Sequence, residues 1–358
     1  MTGNFDHGGN IFSVARAIGV SPEDIIDFSA SINPLGLADG VREAVCAAFD
    51  RVLHYPDSYC AELREALARY HNVDSARVMV ANGSTELIYL VPRLTGGVRG
   101  LVVAPAFSEY AKALSSAGME VDYLILDAED GFCFPLEEFE RKLAAGYDVV
   151  FICNPGNPSG ALVPLSVIET ILDLCRAADA LPVLDEAFMD FCEEGSGKYL
   201  VTEGGRGMVL RSMTKFFAVP GLRIGYAMAS PDIVRRLESF RGPWSVNTPA
   251  QVAGVVSLGN SGYIRRTLQY VETEKAILAA GLAGIGSLLP FPSAANYLLV
   301  KTAGANGAAE LREKLMKRLI LIRDCSNFRG LDGRFFRVAV RKGEENARLV
   351  EALREICG

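Results

Sequence analysis

Lys215 stands three residues after Ser212 and eight before Arg223, in the run Ser212-Met-Thr214-Lys215-Phe-Phe-Ala-Val-Pro-Gly221-Leu-Arg223-Ile-Gly225. A lysine that condenses with an aldehyde must be partly desolvated, or flanked by cations, before its amine acts as a nucleophile. An aldehyde that also carries a phosphate needs nearby hydroxyls and a permanent cation. Ser212 and Arg223 offer both, and Gly221 and Gly225 let backbone approach closely. The plainer alternative is an exposed lysine beside a loop arginine.

Three further segments bear on that choice. Leu181-Pro-Val-Leu-Asp185 is a short apolar run ending in a carboxylate. It reads as a buried parallel strand with an acid at the edge where open α/β sheets bind ligands. A carboxylate there can keep a pyridine nitrogen protonated, or it can simply cap the strand. Asp148 to Gly160 repeats the pattern, an apolar strand ending in the loop Asn154-Pro-Gly-Asn157-Pro-Ser-Gly160. Asn157 can donate to a ring oxygen. A tight turn alone explains the prolines and glycines but not two asparagines. The run Val78-Met-Val-Ala-Asn-Gly83-Ser84-Thr85-Glu86 passes from strand through a small-residue turn into a helix. Its free N–H groups and hydroxyls suit a phosphate, though an ordinary helix cap looks the same.

Taken together and in this order, the four segments resemble the fold-type I pyridoxal-phosphate enzymes, the aspartate aminotransferase superfamily, over nearly the whole chain. Asn33-Pro-Leu-Gly36, Tyr55-Pro56, Asn154 to Gly160, Asp185-Glu-Ala and Gly221-Leu-Arg223-Ile-Gly225 are similar to the histidinol-phosphate aminotransferase branch. His7-Gly-Gly-Asn10, Asp27-Phe-Ser-Ala-Ser-Ile-Asn33, Ile322-Arg323-Asp324-Cys325 and Phe336-Arg337-Val-Ala-Val-Arg341 resemble more narrowly the threonine-phosphate decarboxylases, which make aminopropanol phosphate for cobalamin.

The resemblance implies pyridoxal 5'-phosphate linked to Lys215 and paired with Asp185. It implies a phosphate site of Gly83, Ser84, Thr85, Ser212, Thr214 and Arg223, and Phe107 stacked on the ring. Tyr55 is implied to reach the phosphate of a neighbouring subunit, so a homodimer with shared sites is expected. Arg337 matches a substrate-carboxylate arginine and Arg323 a substrate-phosphate arginine, with Arg341 an additional cation. His7, Asn10, Asn33 and Asn157 are expected around a small phosphorylated amino acid. One departure stands out. Aminotransferases usually carry a tyrosine three residues after the pyridinium aspartate, and here that position is Phe188. Its missing hydroxyl makes decarboxylation the favoured expectation over transamination. A histidinol-phosphate or related aminotransferase is the alternative, and a catalytically idle relative has no need for Lys215.

Composition sets the outer bounds. The chain has 358 residues, half of them hydrophobic, enough for two lobes with sizeable cores. A net charge of −7 and the lack of a basic run argue against a nucleic-acid surface. No stretch of about 20 apolar residues suggests a membrane span, and the first twenty residues lack a secretory pattern. The eight cysteines are scattered without a CxxC pair, so reduced thiols in a cytoplasmic protein are expected, with no metal.

The elements that must position these residues alternate between strand and helix. Strands are expected at 78–81, 100–104, 121–126, 148–153, 181–184, 207–211 and 224–229, giving a mostly parallel seven-stranded α/β sheet covered by helices on both faces. Helices are expected at 11–18, 41–51, 60–70, 233–241, 249–282 and 344–356. Strands at 296–301, 319–323 and 335–340 belong to a smaller α+β lobe. The division expected is an arm at 1–40, a large cofactor-binding domain at 41–240, a helical segment at 241–284 and a small C-terminal domain at 285–358.

Overall fold

The computed structural model describes residues 8–205 and 207–357. Seven strands form one sheet in the spatial order Val78–Ala81, Gly225–Ala229, Met208–Ser212, Leu181–Asp185, Val149–Cys153, Arg99–Ala104 and Glu120–Ile125. Every neighbouring pair is parallel except the two made by Gly225–Ala229, which runs antiparallel on both sides. The central strands are apolar runs because both faces are buried. Val150, Ile152, Leu184 and Val209 pack into one core, while Val149, Phe151, Val183 and Leu210 pack into the core on the other face. Period-two alternation thus feeds two cores from one sheet.

A second sheet has the order Arg323–Asp324, Phe335–Ala339, Tyr297–Thr302 and Leu288–Pro290, antiparallel throughout. The helices Ser261–Ala283, Ala308–Met316 and Gly343–Cys357 cover it, with Leu278, Leu315, Leu349 and Val338 in a common core. Leu288–Pro290 and Ala308–Met316 are elements that the sequence reading did not place.

Three boundaries differ from expectation. The helix expected at 41–51 ends as Val41–Ala47 and tightens into the 3-10 turn Phe49–Leu53. The span 249–282 is two helices, Thr248–Leu258 and Ser261–Ala283, because Asn260 turns its side chain back to accept from the Tyr263 N–H at 2.9 Å and caps the second. The apolar run 319–323 is split between two partners. Ile320–Leu321 pairs in parallel with Ile26–Asp27, whereas Arg323–Asp324 pairs antiparallel with Phe335–Ala339. Among the described residues, no helix is long and apolar enough to cross a membrane.

Candidate active site

The C-terminal ends of three parallel strands deliver Cys153, Asp185 and Ser212 to one edge of the large sheet, and a cavity of about 300 Å³ opens there. Lys215 enters it from the single helical turn Met213–Phe216, which follows Ser212 directly. That turn is pinned from behind. The Asn33 N–H donates to the Lys215 carbonyl at 3.0 Å, and its side-chain amide donates to Phe216 O at 2.7 Å. The same amide reaches Tyr263 Oη and Thr267 Oγ1, both at 2.8 Å.

Lys215 keeps some exposure because it lines the cavity, yet protein surrounds it, and desolvation pulls its pKa down to about 8. The cations Arg337 and Arg223 add to the depression, and Asp185 opposes it. Asp185 is buried, with Tyr110 Oη donating to Oδ2 at 2.6 Å and the Ala187 N–H donating to Oδ1 at 3.0 Å. Burial raises its pKa, while these hydrogen bonds and Lys215 favour the charged form. The pair is therefore a nucleophilic amine close to neutral pH and a carboxylate fixed at both oxygens.

A phosphate cradle lies beside them. The helix Ser84–Thr95 points its first N–H groups at the cavity, where Ser84 and Thr85 are lining residues. Ser212 Oγ and Thr214 Oγ1 lie 2.8 Å apart in the same wall. Two glycines make this approach possible. A Cβ on Gly225 would stand 2.4 Å from the Ser84 nitrogen, and one on Gly83 would stand 2.7 Å from Arg223 Nη2. Arg223 itself holds a left-handed backbone, φ 59°, which is costly for a side chain of this size and turns it toward Gly83. An aldehyde cofactor bearing a phosphate fits this set of amine, carboxylate, hydroxyls and guanidinium. Phe107 adds an aromatic side chain to the lining, and Asn157 adds an amide.

On the opposite wall, Arg323 and Arg337 come from adjacent strands of the small sheet. Arg337 donates from Nη1 to Asn157 Oδ1 and from Nη2 to Ser29 O at 3.0 Å, and its guanidinium lies 4.9 Å from the centre of the Tyr297 ring. Its Nε is buried without a hydrogen-bond partner. Arg323 donates from Nη2 to Asn327 Oδ1 at 2.8 Å and lies over the Phe328 ring at 5.2 Å. Phe188 also lines the cavity. Its ring meets Tyr297 edge-on at 4.9 Å and stands 5.9 Å from Lys215 Nζ.

Of the residues singled out in the sequence, the cavity lining thus gathers Ser84, Thr85, Phe107, Asn157, Asp185, Ser212, Thr214, Lys215, Arg223, Arg323 and Arg337. Others lie elsewhere. Arg341 is turned away: it pairs with Glu345 at 3.0 Å and donates to Asp27 O at 3.1 Å, so of the three arginines expected at the substrate only Arg323 and Arg337 line the cavity. Asn33 is spent on holding the Lys215 turn, and Asn10 precedes the helix Ile11–Ile18 outside the lining. Tyr55 is exposed and stacks on Trp244 with ring centres 4.3 Å apart. His7 lies outside the described residues.

Sequence reading missed Tyr110, Cys153, Ser29, Ser31 and Phe328, all of which line the cavity. Tyr110 had a usable signal. It follows Phe107 by three residues at the start of the helix Glu109–Ser116, so it returns to the same side one turn later. Phe328 had none, because it follows a two-residue strand in an irregular loop.

Comparison with known proteins agrees with this architecture. A family model described as aminotransferase class I and II matches residues 23–353. Threonine-phosphate decarboxylase of Salmonella typhimurium is 37% identical over 355 residues, covering 99% of this chain and 97% of that one. An adenosylcobalamin biosynthesis bifunctional protein of Leptospira interrogans is 31% identical, covering 98% of this chain and 41% of its own length. Among solved structures, the histidinol-phosphate aminotransferase of Clostridium acetobutylicum superposes with a TM-score of 0.86 at 28% identity, covering 92% of this chain and 98% of that one. The family model spans both sheets, and the chain belongs to the aminotransferase class I and II family, whose cofactor here is pyridoxal phosphate.

Proposed function

We propose that the chain is a homodimeric decarboxylase that converts L-threonine O-3-phosphate to (R)-1-aminopropan-2-yl phosphate and carbon dioxide, for cobalamin biosynthesis. The observation that carries decarboxylation over transamination is Phe188, whose ring occupies the cavity wall where aminotransferases present a phenolic hydroxyl. The identity to the Salmonella protein supports the same choice. Cavity size agrees as well. About 300 Å³ is at the lower end of ligand sites, roughly 300–1,000 Å³, which favours a short substrate beside the cofactor.

Pyridoxal phosphate, when bound, supplies an electron sink conjugated to the substrate nitrogen. Ser84, Thr85, Ser212, Thr214 and Arg223 would hold its phosphate, Asp185 would accept a hydrogen bond from the protonated ring nitrogen, and Asn157 would donate to the ring oxygen. Arg323 and Arg337 divide the substrate's phosphate and carboxylate between them through charge-assisted hydrogen bonds. Anchoring at two points by Arg323 and Arg337 would fix the substrate's rotation about Cα so that the bond from Cα to the carboxyl carbon is the one presented for cleavage. Carbon dioxide leaves, and Lys215 Nζ delivers the proton that Cα takes up in its place. Phe107 and Phe188 exclude water from the reacting face. No oxidant or second substrate is consumed.

Release of labelled carbon dioxide from carboxyl-labelled L-threonine O-phosphate tests this reading, beside a transamination assay with histidinol phosphate and 2-oxoglutarate. Carbon dioxide without a 2-oxo acid is expected. A response in the second assay alone would replace the decarboxylase with the aminotransferase.

A further inference from the structure

Arg323 and Arg337 pose a positional problem that the ladder alone does not solve. They are Cα partners across an antiparallel pair, so their backbones are fixed at roughly 4.5–5.5 Å. Each side chain nevertheless carries enough rotamer freedom to let the heads wander. Both arginines are buried, at 8% and 7% exposure, and burial pulls the Arg323 pKa below its ordinary value.

The two heads are restrained in matching fashion. Arg337 rests on the Tyr297 ring and donates to an amide oxygen, that of Asn157. Arg323 rests on the Phe328 ring and donates to another, that of Asn327. The Phe328 ring is itself held at the cavity wall. It packs with Phe132, Leu299 and Phe335, and its N–H donates to Cys325 O at 3.0 Å. Neutral oxygens and an aromatic face restrain the Arg337 guanidinium without cancelling its charge, which keeps that head open to an incoming anion.

We infer that Asn327 and Phe328 are positioning residues that aim Arg323, set its separation from Arg337 and so determine selectivity for an amino acid whose second anion is a phosphate. The inference rests on the reading of Arg323 as a substrate-anion ligand. Phe328 aims the guanidinium by its face, and Asn327 fixes the rotation of the fork. Loss of either widens the range of positions that Arg323 samples, which weakens the phosphate contact and leaves the rest of the substrate's contacts intact.

Titrating the visible absorbance of the holoenzyme with L-threonine O-phosphate, and separately with L-threonine, gives two dissociation constants. Their ratio reads the hold on the phosphate. Phe328→Leu and Asn327→Ala should each weaken the phosphorylated ligand by about tenfold, and leave L-threonine within about twofold. Phe328→Tyr keeps the aromatic face and should keep the ratio. An unaltered L-threonine constant also shows that each variant folds. Equal weakening of both ligands, an unchanged ratio, or no preference for the phosphorylated ligand in the unaltered protein would overturn the inference. Carbon dioxide release is read separately. Preferential binding without it would remove the decarboxylase reading and leave the positioning role standing.

Discussion

Arg323 and Arg337 sit directly opposite each other on one antiparallel ladder, and both line the cavity that holds Lys215. Like charges in that register repel, and burial removes the water that would screen them. Among the described residues no carboxylate pairs with Arg337; a carbonyl, an amide oxygen and a ring face hold it. The arrangement costs the empty protein stability that a ligand with two anionic groups returns. A phosphorylated amino acid has both groups on one short carbon chain.

Cofactor loading should follow the ionisation of Lys215. Desolvation, Arg337 and Arg223 hold its pKa near 8 instead of 10.5, so the neutral amine becomes abundant at mildly alkaline pH. The rate at which the cofactor-free protein takes up pyridoxal phosphate should rise with pH through a midpoint near 8. Arg337→Met removes one of the depressing cations and should move that midpoint upward. Borohydride reduction followed by peptide mass spectrometry should place the pyridoxyl group on Lys215. A label on another lysine, or a midpoint above 10, would refute the assignment.

Behind the site lies a buried charge cluster with a pH signature of its own. Arg211, fully buried, is met by Glu186 at 3.0 Å, Glu193 at 2.8 Å and Asp190 at 3.5 Å. Asp190 Oδ1 has no hydrogen-bond partner, and burial, with Glu193 and Glu186 nearby, raises the group to about 7 despite Arg211. A carboxyl whose folded pKa exceeds its unfolded value keeps a proton that the unfolded chain releases. Its stabilising contribution is therefore present at low pH and lost as pH rises from about 4 to about 7. Asp190→Asn should leave stability at pH 4 nearly unchanged and gain about 1–3 kcal/mol at pH 8. The ionisation of His71, which burial lowers to about 4, is common to both proteins and cancels in the difference. Urea unfolding at the two pH values measures it, and an equal effect at both would remove Asp190 as the titrating group.

Much of this site was legible because buried parallel strands write themselves as apolar runs, and their last residues fall on the ligand edge. Asp185 was found that way, whereas Ser212 and Lys215 were found from the spacing of hydroxyl, amine and guanidinium in one run. The fate of Arg341 was not legible. Its identity suggested an anion site, but its guanidinium pairs with Glu345, four residues on in the helix Gly343–Cys357. Asn33 shows the same limit. Its partners lie 183 to 234 residues away, and only the folded chain makes an arm residue into a brace for the lysine turn. The split at 320–324 was hidden because a single apolar run serves two sheets, and partner choice leaves no mark on periodicity.

Tyr55 tests the assembly. It is 77% exposed and outside the lining of its own chain's cavity, as suits a residue that completes a site on a second copy. Tyr55→Ala and Lys215→Ala should each be nearly inactive alone. Mixed under conditions in which subunits exchange, they should regain up to about a quarter of full activity, because half of each hybrid dimer's two sites is intact. No recovery despite verified exchange, or full activity in a verified monomer, would argue against a shared site.

Phe188 offers the sharpest test of reaction choice. Its ring lies 5.9 Å from Lys215 Nζ and packs edge-on against Tyr297, so the substitution Phe188→Tyr adds one oxygen at the rim of the cavity without removing a contact. That hydroxyl would join Asn157 as a second donor to the cofactor's ring oxygen and stabilise its deprotonated form. The pH midpoint of the bound cofactor's visible band should therefore fall. Charge held on the ring oxygen also changes how electrons left at Cα after loss of carbon dioxide are distributed, and protonation away from Cα would lead, after hydrolysis, to an aldehyde instead of an amine. Phe188→Tyr should accordingly lower carbon dioxide release by about tenfold or less, since one hydrogen bond is at stake. It should also produce measurable phosphorylated aldehyde from L-threonine O-phosphate where the unaltered enzyme gives none. A shifted absorbance midpoint with product ratios unchanged would show that the missing hydroxyl sets the cofactor's colour and not its chemistry, and the basis for preferring decarboxylation would then have to come from Arg323 and Arg337 alone.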